Sequence, residues 1–253
     1  MEVHHHAHTA DPDSHRGRKK WTHYLWEFLM LFLAVFCGFL AENLREHQVE
    51  RNRGKQYIRS LIEDIKIDTA NISNLITLHS SYVNHIDTLR ESLTELRENG
   101  ISATFMRSNR YINSFQSFIY TDRTIQQLKN SGGLRLIENK DAADSIVFYD
   151  SYVRDMLKGE EDLKQLFYAV SDQKKRIIDF SVWEHERKKF PAAQIAANKT
   201  NILITNNKER FAIFYNYMGD YAGGLMVYIS MLNELKNKGG RLIAFLKKEY
   251  HLK

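Results

Sequence analysis

Residues 28–41 read FLMLFLAVFCGFLA, fourteen residues without a charged or strongly polar side chain. A helix needs about 20 residues, each rising ~1.5 Å, to cross a bilayer. The preceding residues supply the missing length, because Trp21, Tyr24 and Trp26 are the aromatic side chains that favour the headgroup region. The sequence therefore predicts one transmembrane helix over residues 24–44.

A cleaved signal peptide is the main alternative, since it also combines a basic start with a short apolar run. Cleavage requires small residues at both ends of an A-x-A-like site, and Phe39 occupies the first position before Ala41. A lipoprotein signal requires a small residue before the modified cysteine, and Cys37 follows Phe36. We therefore expect an uncleaved signal-anchor.

Basic residues flank the anchor on both sides, so the positive-inside rule gives only a weak preference for one orientation of the anchor across the membrane. The tail before the anchor has no acidic residues within its basic cluster, whereas acidic residues alternate with the basic ones that follow. We expect the N-terminus inside and the C-terminal domain outside. The basic residues compared are Arg16, Arg18, Lys19 and Lys20 before the anchor, and Arg45, Arg51, Arg53, Lys55 and Arg59 after it.

Glu27 is a carboxylate at the boundary of the apolar run, and His23 precedes it by one helical turn. An intramembrane carboxylate is a candidate functional group. It also suits the first turn of a helix, where the dipole favours an anion. We favour an interfacial carboxylate that is paired with His23, and a role in ion conduction or oligomer formation is the alternative.

A 3–4 apolar repeat begins at Ile58 and continues for almost forty residues, which predicts a long amphipathic helix. The stripe is wider than a two-stranded coiled coil needs and favours a multi-helix bundle. Asp68 and His79 interrupt it, and we expect them to meet solvent at a bend rather than set register in a core. The repeat positions are Ile58, Ile65, Ile72, His79, Ile86, Leu93 and Leu61, Asp68, Leu75, Tyr82, Leu89, Leu96.

The remaining chain predicts further helices separated by glycine and asparagine signals, so the expected fold class is all-α. Asn99 and Gly100 end the long helix, and either Asn139 or Asp141 caps a later one. Residues 201–205 predict either a short strand or a buried turn. The predicted helices cover about 102–130, 139–158, 160–189, 208–236 and 241–250.

Four segments follow from these patterns. Residues 1–23 form a histidine-rich, basic N-terminal tail, and residues 24–44 form the transmembrane helix. Residues 45–57 form a charged juxtamembrane linker helix, and residues 58–253 form a helical soluble domain.

The charge pattern argues against nucleic-acid binding. The formal net charge is only +5, and Lys and Arg alternate with Glu and Asp instead of forming a basic stripe. The single cysteine, Cys37, lies in the apolar run. The soluble part therefore has no disulfide and no cysteine nucleophile or ligand.

The N-terminal residues His4, His5, His6 and His8 are the one cluster of metal-ligand type. Neutral imidazoles bind zinc, copper or nickel. No carboxylate or cysteine completes a defined site, and a tail must become ordered to bind. We therefore expect no cofactor, with a zinc, copper or nickel site at these histidines as the alternative.

No motif for nucleophilic or metal-assisted catalysis is present. Serine does not occur in a G-x-S-x-G context, and His185 lacks the H-E-x-x-H spacing. The aromatic residues of 211–221 have helical spacing, which indicates core packing. We therefore expect that the chain is not an enzyme.

Four stretches distributed over nearly the full chain have a recognisable sequence: residues 1–6, 26–35, 127–137 and 241–250. Together they resemble a family of uncharacterised, single-span, membrane-anchored helical proteins of Gram-negative bacteria. That family has no established activity, so the resemblance implies no catalytic residues. It implies that the histidine-rich start is native, that the anchor stays uncleaved, and that the protein resides in the bacterial inner membrane.

Together these features predict an interaction or scaffold protein of the inner membrane with a periplasmic C-terminal domain. Its expected partners are copies of itself, another protein or a cell-envelope component. The long helix after the anchor suggests self-association, because copies held by an anchor are confined to two dimensions. Metal binding or sensing by the histidine tail is the second hypothesis.

Overall fold

The structure is a computed structural model that describes residues 21–189, 191–197 and 201–252. These residues form eight α-helices and two short 3₁₀ helices, Arg110–Asn113 and Gly133–Leu136, without a strand. The predicted all-α class is therefore confirmed. The α-helices are α1 (Trp21–Glu91), α2 (Leu93–Asn99), α3 (Ala103–Asn109), α4 (Arg123–Asn130), α5 (Lys140–Lys175), α6 (Phe180–Lys189), α7 (Ala192–Ala197) and α8 (Lys208–Glu249).

The chain divides into two compact units between Asn52 and Arg53. Within the first unit, α1 contains the apolar run, and it is long and apolar enough to cross a membrane. Within the part of the chain that the structure describes, none of the most apolar stretch of this helix is buried. The predicted membrane-spanning helix is thus present as a helix with an exposed apolar surface.

The second unit is a helical bundle whose core comes mainly from α1, α5 and α8. The apolar stripe of α1 faces this core, and each Leu or Ile buried there contributes roughly 1.5–3 kcal/mol. Fully buried members are Ile58, Ile65, Ile72, Ile86 and Leu89 of α1, Val153, Met156 and Val170 of α5, and Phe214, Tyr221, Leu225 and Leu232 of α8.

Asp68 and His79 are both completely buried, so our expectation that they meet solvent was wrong. They lie on the core side of α1 because they occupy the same helical face as the apolar stripe. Their burial is tolerated because each makes a hydrogen bond to the main chain of another segment, as described below.

Two predicted helix breaks do not occur, since α5 runs through Gly159 and α8 runs through Gly239 and Gly240. The glycines allow close helix packing instead. A Cβ on Gly224 would lie 2.7 Å from Leu166 Cδ1, and one on Gly239 would lie 3.0 Å from Thr69 Cγ2. Asn139, rather than Asp141, caps α5 by accepting the Ala142 N–H at 2.9 Å.

The single helix predicted over residues 102–130 was also wrong. The structure has α3 and a 3₁₀ helix, then the non-helical residues 114–122, and then α4. We call residues 114–122 the inserted segment. Further along the chain, residues 201–205 form no strand, and Leu203 makes only an isolated antiparallel bridge with Ile178.

Candidate functional site

The inserted segment is where the buried polar side chains of the bundle converge. Because it is not helical, its N–H and C=O groups need partners outside the segment. Ionisable and hydroxyl side chains from α1, α5 and α8 supply several of these partners. The resulting cluster combines Asp64, Asp68, His79, Tyr120, Thr124, Asp150, Glu160, Tyr221 and Tyr228.

Helix α1 binds the inserted segment at two places. Asp68 accepts the Thr121 N–H through Oδ1 at 2.9 Å. His79 Nε2 lies 2.9 Å from the carbonyl oxygen of Gln116. Since a carbonyl only accepts, Nε2 carries the proton and donates it. Burial lowers the pKa of His79, which favours this neutral form.

Asp64, also on α1, holds the start of α4. It accepts the Thr124 N–H at 3.2 Å and the Thr124 hydroxyl at 2.5 Å. Arg123 Nε donates to its other oxygen at 2.6 Å. Asp122, which precedes α4, makes no side-chain cap. A carboxylate from a distant helix therefore replaces the usual local cap.

Helices α5 and α8 bind the inserted segment from their own side. Glu160 accepts the Phe118 N–H at 3.0 Å and the Tyr228 hydroxyl at 2.6 Å. The Tyr221 hydroxyl donates to the carbonyl of Ser114 at 3.0 Å. Three helices that are distant in sequence thus fix one short segment through its main chain.

Asp150 on α5 is a buried carboxylate with cationic partners. The Arg154 guanidinium donates to it at 2.9 and 3.2 Å, Lys129 Nζ also donates, and the Tyr120 hydroxyl lies at 3.1 Å. Burial alone would raise the pKa of Asp150. The hydrogen bonds and charges of Arg154 and Lys129 outweigh burial and lower it.

Asp68 is buried to the same degree without a cation as hydrogen-bond partner. Burial therefore raises its pKa to about 6, despite the hydrogen bond from Thr121. Its Oδ2 atom has no hydrogen-bond partner among the described residues. The same holds for His79 Nδ1 and Tyr149 OH.

The hydrogen bonds described for the cluster join protein groups to one another. An acid or base must reach a substrate proton within about 3 Å, and Asp68, His79 and Glu160 are all buried. Each already binds the main chain of the inserted segment. A substrate could contact them only if that segment moved away.

Lys174 forms a second buried polar contact near the end of α5. It is only 2% exposed, and Nζ donates to the carbonyl of Asn109 at 3.0 Å. The Phe180 ring lies 5.5 Å from Nζ. Burial without a carboxylate partner lowers the pKa of Lys174 to about 7. This residue links α5 to the end of α3.

Several open grooves lie on the described surface of the second unit. A groove of about 450 Å³ between α5 and α8 is lined by Phe148, Tyr149, Lys238, Arg241, Leu242 and Phe245, among others. In it, Lys238 Nζ lies over the Phe148 and Tyr152 rings and 3.2 Å from Glu234. A groove of about 520 Å³ is lined by Arg59, Ile62, Glu63, Lys66, Lys247, His251 and Leu252.

Of the site residues predicted from sequence, His23 and Glu27 come together. His23 Nε2 lies 2.9 Å from Glu27 Oε1, and both side chains are about half exposed. His4, His5, His6 and His8 lie outside the described residues. Within the described ranges, no group of three or more His, Cys, Asp or Glu is arranged to hold a metal ion.

Other predicted positions fall as follows. His185 lies exposed on α6. In the aromatic stripe of α8, Phe211, Phe214 and Tyr221 are buried, and Tyr215 is exposed. The stripe therefore belongs mostly to the core.

Sequence reasoning missed Asp64, Asp150, Glu160 and Lys174. Asp64 and Asp150 lie next to apolar core positions of their helices, which was the one available signal of burial. Each of the four has at least one partner within residues 109–129. No local pattern in the sequence predicts those contacts.

Comparison with protein-family models, with curated proteins and with solved structures gave no match.

Proposed function

We propose that the chain is a membrane-anchored helical scaffold or interaction protein that performs no catalysis. The observation that carries this proposal is the apolar part of α1, which no other described residue covers. The buried ionisable residues of the bundle support it further, since they bind main-chain groups of the inserted segment. Alkaline extraction of membranes tests the anchor. The full chain stays with the lipid, and a variant lacking residues 24–44 is released.

The proposed location is the inner membrane of a Gram-negative bacterium, with a single uncleaved span and a periplasmic C-terminal domain. The support is the basic N-terminal tail together with the resemblance to single-span helical proteins of such bacteria. A periplasm-dependent reporter fused after Lys253 tests the orientation. Activity of a cytoplasm-dependent reporter at the same position would reverse the orientation and leave the anchor in place.

The proposed partners are further copies of the chain, with another protein or an envelope component as an additional partner. The anchor supports self-association, because confinement in a membrane raises the effective concentration of copies. The apolar stripe of α1 is buried within the bundle, so contact between copies must use another surface. Stepwise photobleaching of a fluorescent fusion in native membranes counts the copies, and single steps throughout would end this proposal.

Metal binding by the N-terminal tail is the second candidate function. Its support is the close spacing of His4, His5, His6 and His8 in the sequence. Zinc, copper and nickel are titrated against the wild type and a variant with all four replaced by alanine. Equal affinities for the two proteins would end this candidate.

A further inference from the structure

Residues 67–86 of α1 present an exposed face without charge. Asp68 and His79, which occur there, are buried, and the His85 ring stacks on Tyr111 at 3.8 Å. Charged residues return at Lys66 and Asp87, just outside the stretch. The exposed residues are Ile67, Ala70, Asn71, Asn74, Thr77, Leu78 and Asn84.

Some hydroxyl side chains of this stretch bond to their own helix. The Ser73 hydroxyl donates to the Thr69 carbonyl at 2.8 Å, and the Thr77 hydroxyl donates to the Ser73 carbonyl at 3.2 Å. Ser, Thr and Asn are poor helix formers, and a solvated helix face ordinarily carries Lys, Glu, Gln or Arg. Their concentration here is unusual for a face that serves only to meet water.

Helix α8 carries a second uncharged stretch, residues 221–233. Met226 is 55% exposed and Val227 is 62% exposed. This stretch lies beside that of α1, because α1 and α8 pack against each other in antiparallel directions and approach closely at two points. At one end a Cβ on Gly219 would lie 3.2 Å from Arg90 Nη2, and at the other Gly239 approaches Thr69. We call the exposed residues of 67–86 and 221–233 the uncharged face.

The exposed side of α5 differs at the same level of the bundle. Gly159 approaches Met231 of α8, with 3.3 Å between its Cβ position and Met231 Cε, and this contact aligns the two helices. There α5 exposes Asp155, Lys158, Glu161 and Asp162. Lys158 pairs with Asp155 at 3.1 Å. The absence of charge therefore distinguishes the α1–α8 side of the described bundle from its α5 side.

We infer that the uncharged face is the surface on which a second copy of this chain docks. In a two-fold symmetric pair the same patch is used by both copies, so residues near the axis meet their own equivalents. A charged residue there would face an identical charge. The uncharged face avoids this repulsion, whereas the acidic residues of α5 would create it.

The size of the face fits an association that the membrane assists. Residues 67–86 extend about 30 Å along the helix axis. A strip of that length and about 10 Å wide, the diameter of one helix, covers about 300 Å², which is less than the ~800 Å² per partner of a standard stable interface. Confinement by the anchor compensates, since it raises the effective concentration. The inference thus rests on the proposed anchoring and self-association and adds the surface that mediates contact.

Disulfide trapping in isolated membranes tests the surface. Cys37 is the only cysteine, so Cys37→Ser gives a cysteine-free full-length background. Asn74→Cys places one thiol on the uncharged face, and Asp162→Cys places one on α5. Mild oxidation is expected to trap a dimer at least about tenfold more completely with Asn74→Cys. Equal trapping, or stronger trapping with Asp162→Cys, would overturn the assignment.

Two variants that each add one positive charge test the location of the docking surface separately from the existence of self-association. Thr77→Lys introduces a like-charge pair between copies, and Gln165→Lys adds the same charge on α5 as a matched control. Photobleaching in membranes is expected to show dimers for wild type and Gln165→Lys, and mostly monomers for Thr77→Lys. Dimers in all three proteins would overturn the assignment of the docking surface but would not contradict self-association. A monomeric wild type would overturn both.

Discussion

Asp68 on α1 accepts the N–H of Thr121 at 2.9 Å through one carboxylate oxygen, while its other oxygen has no hydrogen-bond partner among the described residues. The two residues are 53 positions apart in the chain. Their bond fixes the inserted segment against the core side of α1. Because no cation bonds to Asp68, its burial carries a cost that depends on pH.

Asp68→Asn is expected to remove this pH-dependent cost. The folded-state pKa of about 6 lies above the ordinary value of 3.8, so the folded state holds the extra proton between these values. Stability is therefore highest below the lower value and falls as pH rises through 6, by at most roughly 3 kcal/mol. Asparagine still accepts from Thr121 and cannot ionise. In urea unfolding, the free energy of unfolding of the variant should rise relative to that of wild type between pH 4.5 and pH 7.5.

Asp68→Ala is the control for the hydrogen bond. It removes the charge and also leaves the Thr121 N–H without an acceptor, which costs about 1–3 kcal/mol. It should therefore be less stable than Asp68→Asn at every pH. A difference between wild type and Asp68→Asn that does not change with pH would contradict the burial argument.

Tyr228→Phe is expected to destabilise the bundle more than Tyr221→Phe. The Tyr228 hydroxyl donates to the Glu160 carboxylate at 2.6 Å, whereas the Tyr221 hydroxyl donates to a neutral carbonyl at 3.0 Å. Hydrogen bonds to charged groups contribute about 1.5–3 kcal/mol, and neutral ones about 0.5–1.5. Both rings are fully buried, so the pair is matched. Equal losses of unfolding free energy in the two variants would refute the expectation that the bond to Glu160 contributes more than the bond to the Ser114 carbonyl.

Lys174→Met is expected to abolish a rise in stability above neutral pH. The folded-state pKa of about 7 lies below the ordinary 10.5, so the folded state releases a proton that the unfolded state keeps. Wild-type stability should therefore increase from pH 7 to pH 9, by at most roughly 3 kcal/mol. The exposed Lys175→Met serves as control and should keep the rise. The prediction fails if the stability of both variants has the same dependence on pH.

Gly54→Ala is expected to destabilise the bundle, and Gly240→Ala is expected to stabilise it. A Cβ on Gly54 would lie 2.2 Å from the carbonyl oxygen of Leu136, and this backbone atom must move to admit it. Nothing lies within 4 Å of a Cβ on Gly240, which is helical. Alanine there should gain about 0.5–1 kcal/mol through helix propensity. Melting temperatures that fall for both variants would contradict the comparison.

Several local features could be predicted from sequence because their causes are local. The apolar run, the 3–4 stripe of α1 and the cap at Asn139 each depend on residues within a few positions of one another. The glycine positions were harder to interpret. Within α8, Gly239 resembles a helix end in sequence, and only the neighbouring helices reveal that it permits close packing.

The inserted segment could not be predicted from the sequence. Its residues include no Gly or Pro, and the partners that hold it come from α1, α5 and α8. Asp68 and His79 were noticed as interruptions, but whether such residues are buried depends on what packs opposite them. A hydrogen bond between residues that are 53 positions apart produces no pattern in the spacing of neighbouring residues.

The sequence by itself determined the all-α class, the exposed apolar helix near the N-terminus and the core face of α1, because periodicity and hydrophobicity act over a few residues. The tertiary structure alone decided that the α1 stripe is covered by α5 and α8, that Asp68 and His79 bind the inserted segment, and that the uncharged stretches of α1 and α8 lie side by side. The physical reason is that burial and hydrogen-bond satisfaction depend on the packing of distant helices.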